Sequence, residues 1–255
     1  MGHIRLGKLP RAKRWAEVVD LLGLGAGSAA VAAATLDAAE ADLRSAPQDP
    51  AVLHAFWLLT QLPDAARSDD FASALRDLGV QVESAPSVAE LGAALTQAID
   101  RHALEKRNKS DLGVMAQLAA VQSLTGLLQS RVPTLFGTTP DDVRSEVAKL
   151  ATEKQFGSLA KEFFADFSQR FLTYYTSREL PSHVGRDRAF PELTAHDAFN
   201  QALDVHCQQA SRIVETFAGT WYSKSRFEKT LTPERTAGFI GYALTKMRRE
   251  LKRGD

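Results

Sequence analysis

One segment, residues 156–180, limits the folds open to this chain more than any other. Its apolar side chains recur at steps of three and four residues: Phe156, Leu159, Phe163, Phe167, Phe171 and Tyr174, with Ala160, Phe164 and Tyr175 beside them. This spacing places them on one face of a helix, a stripe at least about 100° wide. Burying each aromatic ring would stabilise the fold by roughly 2–3 kcal/mol. The segment therefore predicts the central helix of an all-α domain.

Signals for helix starts recur through the rest of the chain. Asp49 precedes a proline, Ser87 lies three residues before Glu90, and Ser110 and Thr232 each precede a helical apolar period. Small polar residues accept hydrogen bonds from the first free amides of a helix, and proline suits the first helical position. These signals predict a compact bundle of about ten helices.

Two segments make more specific predictions about local structure. Residues 29–45 predict a single alanine-rich helix with Ser28 as its N-cap, and residues 195–222 predict a long helix. Val80 and Val82 alternate with polar residues, which makes residues 80–83 the best strand candidate in the chain. With one such segment, we expect little or no sheet.

The sequence VPTLFGTTP, residues 132–140, is the clearest boundary. Two prolines and a glycine interrupt any helix there, and a Thr-Thr pair can cap the next one. We predict an N-terminal helical region at 1–132 that carries a basic arm, and a C-terminal bundle at 137–255. One continuous domain is the alternative.

The composition excludes several classes of protein. There is no run of about 18 apolar residues, so no membrane span is predicted. Basic residues near Met1 are not followed by an apolar core of a secretory signal, and Leu6 stands where a myristoylation motif needs Ser or Thr. The single cysteine, Cys207, fits a reducing compartment. We expect a cytoplasmic protein.

The net charge of zero hides an uneven distribution. Residues 1–14 carry five cations and no acid, and residues 224–255 carry nine cations and four acids. The middle of the chain must therefore be acidic. Either opposite charges meet within the fold, or the two ends form a basic patch for an acidic partner.

The basic residues of both ends, with two aromatic residues between them, form the candidate basic patch. Its members are Arg5, Lys8, Arg11, Lys13, Arg14, Trp221, Tyr222, Lys224, Arg226, Lys246, Arg248, Arg249, Lys252 and Arg253. Aromatic rings can stack on bases while cations neutralise phosphates. The same mixture also suits contact with another protein.

A second candidate site follows the central helix, in the sequence YYTSRELPSHVGRDR. Its polar members are Tyr174, Tyr175, Arg178, Glu179, His183, Arg186 and Arg188. Binding groups often lie at the end of a rigid element, and arginine suits a carboxylate or phosphate. The alternative is a solvated loop between helices.

Two short motifs invite comparison with known sites. Gly25-Ala26-Gly27 begins a G-x-G-x-x-A pattern, but a dinucleotide fingerprint needs a preceding strand, and residues 15–22 have helical period. His196-Asp197 resembles the metal-binding pair of all-helical HD-type phosphohydrolases. Their pattern also needs an upstream histidine and a distant aspartate, for which His183 and Asp204 are the candidates. A polar helix start explains the pair equally well.

The chain offers little material for other chemistry. His206 and Cys207 lie in the middle of a predicted helix, and zinc normally takes three or four N or S ligands. We read Cys207 as a buried, inert thiol. No cofactor, metal or catalytic residue is predicted.

We therefore expect a non-enzymatic helical interaction protein, a subunit or adaptor that binds a protein partner. A nucleic-acid-associated module that uses both basic segments is the first alternative. A helical enzyme with a site around Arg178, Glu179, His183 and His206 is the second.

Overall fold

The computed structural model describes residues 13–132, 139–186 and 188–253, except the side chain of residue 193. The predicted start signals form the caps expected of them. Asp49 accepts from the amides of Ala51 and Val52, and Ser87 and Glu90 form a reciprocal capping box. Each bond satisfies an amide that lacks a partner within the helix. Local sequence thus fixes where these helices begin.

The all-α fold class is confirmed within the described residues. Eleven α-helices follow one another: α1 (Lys13–Gly23), α2 (Ser28–Ala38), α3 (Glu40–Ser45), α4 (Pro50–Ala65), α5 (Phe71–Asp77), α6 (Val88–Glu105), α7 (Asp111–Gln129), α8 (Pro140–Lys149), α9 (Glu153–Thr176), α10 (Leu193–Phe227) and α11 (Pro233–Leu251). Short 3-10 turns at Ala46–Gln48 and Leu180–His183 precede α4 and follow α9.

Helix α9 is the predicted central helix. Phe156, Phe163, Phe164 and Phe171 on it are fully buried. It packs against α10 on one side and α7 on the other, and its polar side is itself half covered by these neighbours. The aromatic stripe therefore forms the middle of the core.

The ring of Phe56 on α4 links this stripe to the last helix. Its centroid lies 5.0 Å from that of Phe163, 5.2 Å from that of Phe164, and 5.5 Å from that of Phe239 on α11, against which it stacks. Because α11 covers α4 here, the two predicted regions of the chain share a core.

Helices α9 and α10 approach most closely at two glycines, Gly219 and Gly157. A Cβ atom placed on Gly219 of α10 would overlap the backbone carbonyl of Glu153, 2.8 Å from its carbon. A Cβ atom on Gly157 of α9 would lie 3.1 Å from the carbonyl oxygen of Glu215. Ser158 donates to Glu215 across the same contact at 3.0 Å.

The starts of α4 and α7 are joined through their caps. Ser110 caps α7 by accepting from the amide of Gly113, and its hydroxyl donates to Asp49, the cap of α4, at 2.5 Å. Asp49 and Ser110 are both buried. One pair of side chains thus satisfies two helix starts and fixes their relative position.

Three local predictions differ from the structure. The expected helix at 29–45 is split at Ala39 into α2 and α3, and Gly27 rather than Ser28 is the N-cap. The strand expected at 80–83 is wrong: Val80 is buried, but its amide bonds back to Leu75 and closes the end of α5. An isolated β-bridge joins Val184 and Phe190.

The predicted boundary at 132–140 is only partly visible, since residues 133–138 lie outside the described ranges. Thr139 and Pro140 begin α8 as expected, with Asp142 completing a capping box. The division into two domains stays a prediction.

Helix α7 is the one described helix that is long and apolar enough to cross a membrane. It packs between α4, α6 and α9, with 56% of its apolar window buried. A core helix of a globular fold has the same length and composition.

We predict that Gly219→Ala destabilises the fold by about 1–3 kcal/mol, because the new methyl group meets backbone that cannot move aside. Urea unfolding followed by circular dichroism measures the change.

The matched control is Gly126→Ala in α7, where an added Cβ atom would meet nothing within 4 Å. Alanine should stabilise that helix by about 0.5–1 kcal/mol. If the two substitutions changed the free energy of unfolding alike, the steric reading of the α9–α10 contact would be wrong.

Candidate functional site

The structure separates the members of the predicted site at 174–188. The Tyr174 hydroxyl donates to Asp111 of α7 at 2.6 Å, and the Arg178 guanidinium lies 4.3 Å from the centre of the Tyr174 ring. Tyr174 also lines a groove of about 620 Å³ between α7 and α9. The loop that follows Glu179 leads away from this groove towards α1 and α10.

Tyr175 is a buried structural residue. Its hydroxyl donates to Asp42 of α3, and its ring packs against Trp15 of α1. Burial, together with the bond to Asp42, raises the pKa of Tyr175 well above its ordinary value. Its side chain joins α9 to the N-terminal helices and offers no surface to a ligand.

The loop from residue 180 to residue 190 is closed by its own backbone. The amide of Phe190 donates to His183 at 3.0 Å, and the amide of Gly185 donates to Phe190 at 2.9 Å. Arg188 donates to the carbonyl of Ser182, whereas Arg186 is exposed. His183 lies against Gly23 of α1. The predicted residues therefore do not meet around a common point.

Described cations from each basic end instead meet at a pair of carboxylates, Asp37 of α2 and Glu40 of α3. Arg248 of α11 donates to both, and Lys252 donates to Asp37 at 2.8 Å. Arg14 of α1 donates to the carbonyl of Asp37 at 3.1 Å and lies 3.7 Å from Glu40. We call Asp37 and Glu40 the acidic pair.

The charges shift the titration of the acidic pair. Burial by itself would raise the pKa of Asp37, but the bonds from Lys252 and Arg248 outweigh it and hold that pKa below its ordinary value. The bond from Arg248 lowers the pKa of Glu40, against a smaller opposing effect of burial. Of the two alternatives for the uneven charge, internal pairing is the one seen here.

Other members of the predicted basic patch are also paired or buried. Arg226 donates to Asp64 at 2.7 Å, Arg253 pairs with Glu250 at 2.9 Å, and Tyr222 is fully buried. Lys13 and Lys224 are exposed, and Lys224 lies 3.9 Å from Glu228. Arg5, Lys8 and Arg11 lie outside the described residues. The predicted patch is therefore not one continuous surface within the described ranges.

An exposed aromatic surface does lie between α10 and α11. Phe217, Trp221 and Tyr242 surround a groove of about 440 Å³, with Phe239 as its floor and Arg235 at its edge. The Trp221 ring stacks on that of Phe239 at 4.0 Å, and the Phe217 ring meets that of Tyr242 edge-on at 4.9 Å. We call this the aromatic groove.

The opposite side of α11 lines a second depression of about 670 Å³, facing α3 and the 3-10 turn at Ala46–Gln48. Leu43, Pro47, Gly241 and Leu244 form an apolar floor. The basic side chains around it are Arg44, Arg248, Arg249 and Lys252. We call this the basic cleft. Gly238 lines both the basic cleft and the aromatic groove.

A third depression, of about 460 Å³, is acidic. Glu162 and Asp166 of α9 and Asp204 of α10 line it. Burial, and then the negative charges of Asp166 and Glu162, raise the pKa of Asp204. No group of three or more His, Cys, Asp or Glu side chains within the described ranges is placed to hold a metal ion.

The histidines and the cysteine around the compared HD-type pattern have separate surroundings. His196 and Asp197 lie 3.5 Å apart at the start of α10, while His206 is 2.9 Å from the carbonyl oxygen of Leu251. Cys207 is buried, which raises the pKa of its thiol to about 12. A thiol with that pKa is not a ready nucleophile.

The glycines at 25 and 27 join two helices. Helix α1 precedes them, and Gly25 has φ +66°, a left-handed conformation that ends a helix readily in glycine. A dinucleotide-binding turn would follow a strand.

A pair of stacked histidines lies between α4 and α6. The rings of His54 and His102 are 3.9 Å apart, and Trp57 stacks on the other side of His54 at 5.6 Å. Burial, reinforced by His102, lowers the pKa of His54 to about 4. Burial also lowers the pKa of His102, with Lys106 adding to the effect.

Comparison with protein-family models, curated proteins and solved structures finds no match to this chain. The surfaces described above are therefore the basis for a proposed function. Of these, the aromatic groove was missed by sequence reasoning. The helical period that predicts core residues also includes Phe217, Phe239 and Tyr242. Only the pairing of α10 with α11 shows which of these side chains stay accessible.

We predict that acid destabilises the fold through the stacked histidines. Because folding lowers the pKa of His54, the unfolded chain binds more protons between pH 6.5 and about 4. Stability is fully present above pH 6.5 and falls as the pH drops, by about 1–2 kcal/mol near pH 5. Urea unfolding at a series of pH values measures this dependence.

His54→Phe keeps a ring in the stack but removes the titration, so its free energy of unfolding should change less with pH. Comparison at pH 8, where His54 is neutral in both states, isolates any packing change. A variant with the parent's pH dependence would contradict the assignment.

Proposed function

We propose that this chain is a non-enzymatic helical interaction protein, a subunit or adaptor that binds another protein through the aromatic groove. One observation carries the proposal. Three aromatic side chains, Phe217, Trp221 and Tyr242, line an open groove whose surface is almost entirely apolar. Tyr242 of α11 is 50% exposed, and Phe227 at the end of α10 is 90% exposed.

Such a surface suits the energetics of protein association. Trp, Tyr and Arg are the residues that most often dominate binding energy at interfaces, and Arg235 lies beside Trp221 and Tyr242 here. The groove is also preorganised, because Trp221 stacks on Phe239, which in turn stacks on the core residue Phe56. A rigid aromatic surface loses little conformational entropy on binding.

The surroundings of the candidate enzyme residues support the same choice. Arg178 lies over Tyr174, and His206 contacts the end of α11. The Arg178 contact lies at the end of α9, whereas the His206 contact joins α10 to α11, so the two residues lie in different parts of the bundle. A catalytic role would require them to leave these contacts.

Nucleic-acid binding is the second candidate, and one observation favours it. The Lys246 ammonium lies 5.3 Å from the centre of the Tyr242 ring, so a cation adjoins the aromatic groove. Against it, Arg226, Arg235, Arg248, Lys252 and Arg253 each pair with a carboxylate. Phosphate binding depends on cations that are free to replace counterions. The cytoplasmic location remains a prediction alongside both candidates.

We predict that Tyr242→Ala abolishes capture of a specific protein partner. Truncating an interface aromatic of this kind weakens binding by about 2 kcal/mol or more, roughly thirtyfold. Affinity capture from a lysate of the native host, with nuclease treatment and mass spectrometry, compares the native chain with the variant.

Leu104→Ala is the matched control, because Leu104 is also about half exposed, at 51%, but lies on α6. A protein retained by the native chain and by L104A but lost by Y242A would support the proposal. Equal capture by all three would overturn it. Loss of every captured protein after nuclease treatment would favour the nucleic-acid alternative.

A further inference from the structure

The basic cleft and the aromatic groove lie on either side of α11 and meet at Gly238. A Cβ atom on Gly238 would meet nothing within 4 Å, so the helix presents bare backbone at the point where the two depressions join. A bound segment that crosses α11 there meets no side chain at position 238 itself. This continuity links two surfaces of different chemistry.

The charge of the basic cleft exceeds what the acidic pair neutralises. Arg14, Arg44, Arg248 and Lys252 share the two carboxylates of Asp37 and Glu40. Arg249 lines the cleft, is exposed, and pairs with no carboxylate among the described residues. A positive excess therefore remains at the rim.

The form of the basic cleft suits a polypeptide. Its floor is apolar, and Gly241 packs against Pro47 there. Its rim offers guanidinium groups, whose planar fork matches a carboxylate. A charged rim around an apolar floor is how grooves bind amphipathic peptide segments.

We infer that the protein partner contributes an acidic segment that crosses α11 at Gly238, with an apolar anchor in the aromatic groove and carboxylates in the basic cleft. This inference depends on the proposed function, since the anchor occupies the same groove. It adds the chemistry of the partner: Asp and Glu residues next to an aromatic or large aliphatic residue. Binding should weaken as salt rises.

The test is selection from a library of random peptides, each about 16 residues long, on the folded full chain. Selected peptides should be rich in Asp and Glu beside one apolar anchor. Fluorescence anisotropy then measures their affinity for variants. Arg249→Glu should weaken binding at least about tenfold, because it reverses a charge outside the network around the acidic pair. Lys109→Glu, an exposed charge reversal before α7, should leave the affinity unchanged.

Gly238→Gln tests the crossing point. Its side chain should block the path between the two depressions and weaken binding at least about tenfold. Gly126→Gln is the control, because that helix position is equally open and lies on α7. Circular dichroism of each variant separates lost binding from lost folding.

The outcomes distinguish this inference from the proposed function. Neutral or basic peptides that depend on Tyr242 but not on Arg249 would overturn the inference alone. Peptides that bind Y242A as well as the native chain, or a selection that yields no binder, would overturn both. Tighter binding of a fluorescein-labelled single-stranded oligonucleotide, lost in R249E, would assign the surface to nucleic acid instead.

Discussion

The fold depends on the close contact between α9 and α10, which exists because Gly157 and Gly219 lack side chains. Their absence lets the backbone of one helix reach the carbonyl groups of the other. The longest helix, α10, is thereby held against α9, which carries the aromatic stripe. Tyr222, one turn beyond Gly219, then stacks on Phe156 at 3.8 Å. Every surface formed by α10, including the aromatic groove, takes its position from this contact.

The aromatic groove is an extension of the core rather than a separate feature. Rings follow one another from Phe163 through Phe56 and Phe239 to Trp221, so the chain of contacts runs from the middle of α9 to solvent. Close-packed interiors yield little to local strain. The exposed rings therefore stand on a rigid base, and a partner would meet them already in position. Because the rings beneath them are closely packed, the exposed rings cannot move into the core, and the apolar surface persists.

Sequence reasoning succeeded where the determining contacts are local and failed where they are distant. The caps at Asp49 and at Ser87 with Glu90 involve residues two or three positions apart, and the stripe on α9 follows from helical period. The alternation of aromatic and basic residues at 221–229 was a misleading sign of an exposed patch. Tyr222 is buried, because it shares a helix face with the buried residues Ala218 and Ser225. The ion pairs of the C-terminal cations could not be predicted from sequence, because the carboxylates that they bind lie more than 200 residues from Arg248 in the chain. The aromatic groove required knowing which helix pairs with α10.

The acidic pair also has a consequence for the order of assembly. Arg14 reaches Asp37 across 23 positions, whereas Arg248 and Lys252 reach the pair across 208 to 215. Contacts of such long sequence separation form late, because a large loop must close first. During synthesis, the Asp37 carboxylate therefore lacks its cationic partners Arg248 and Lys252, and Phe56 lacks the stacked ring of Phe239, until α11 emerges. A nascent chain halted before α11 would leave the Asp37 carboxylate without these cations and would expose the apolar surface of α4 that α11 covers.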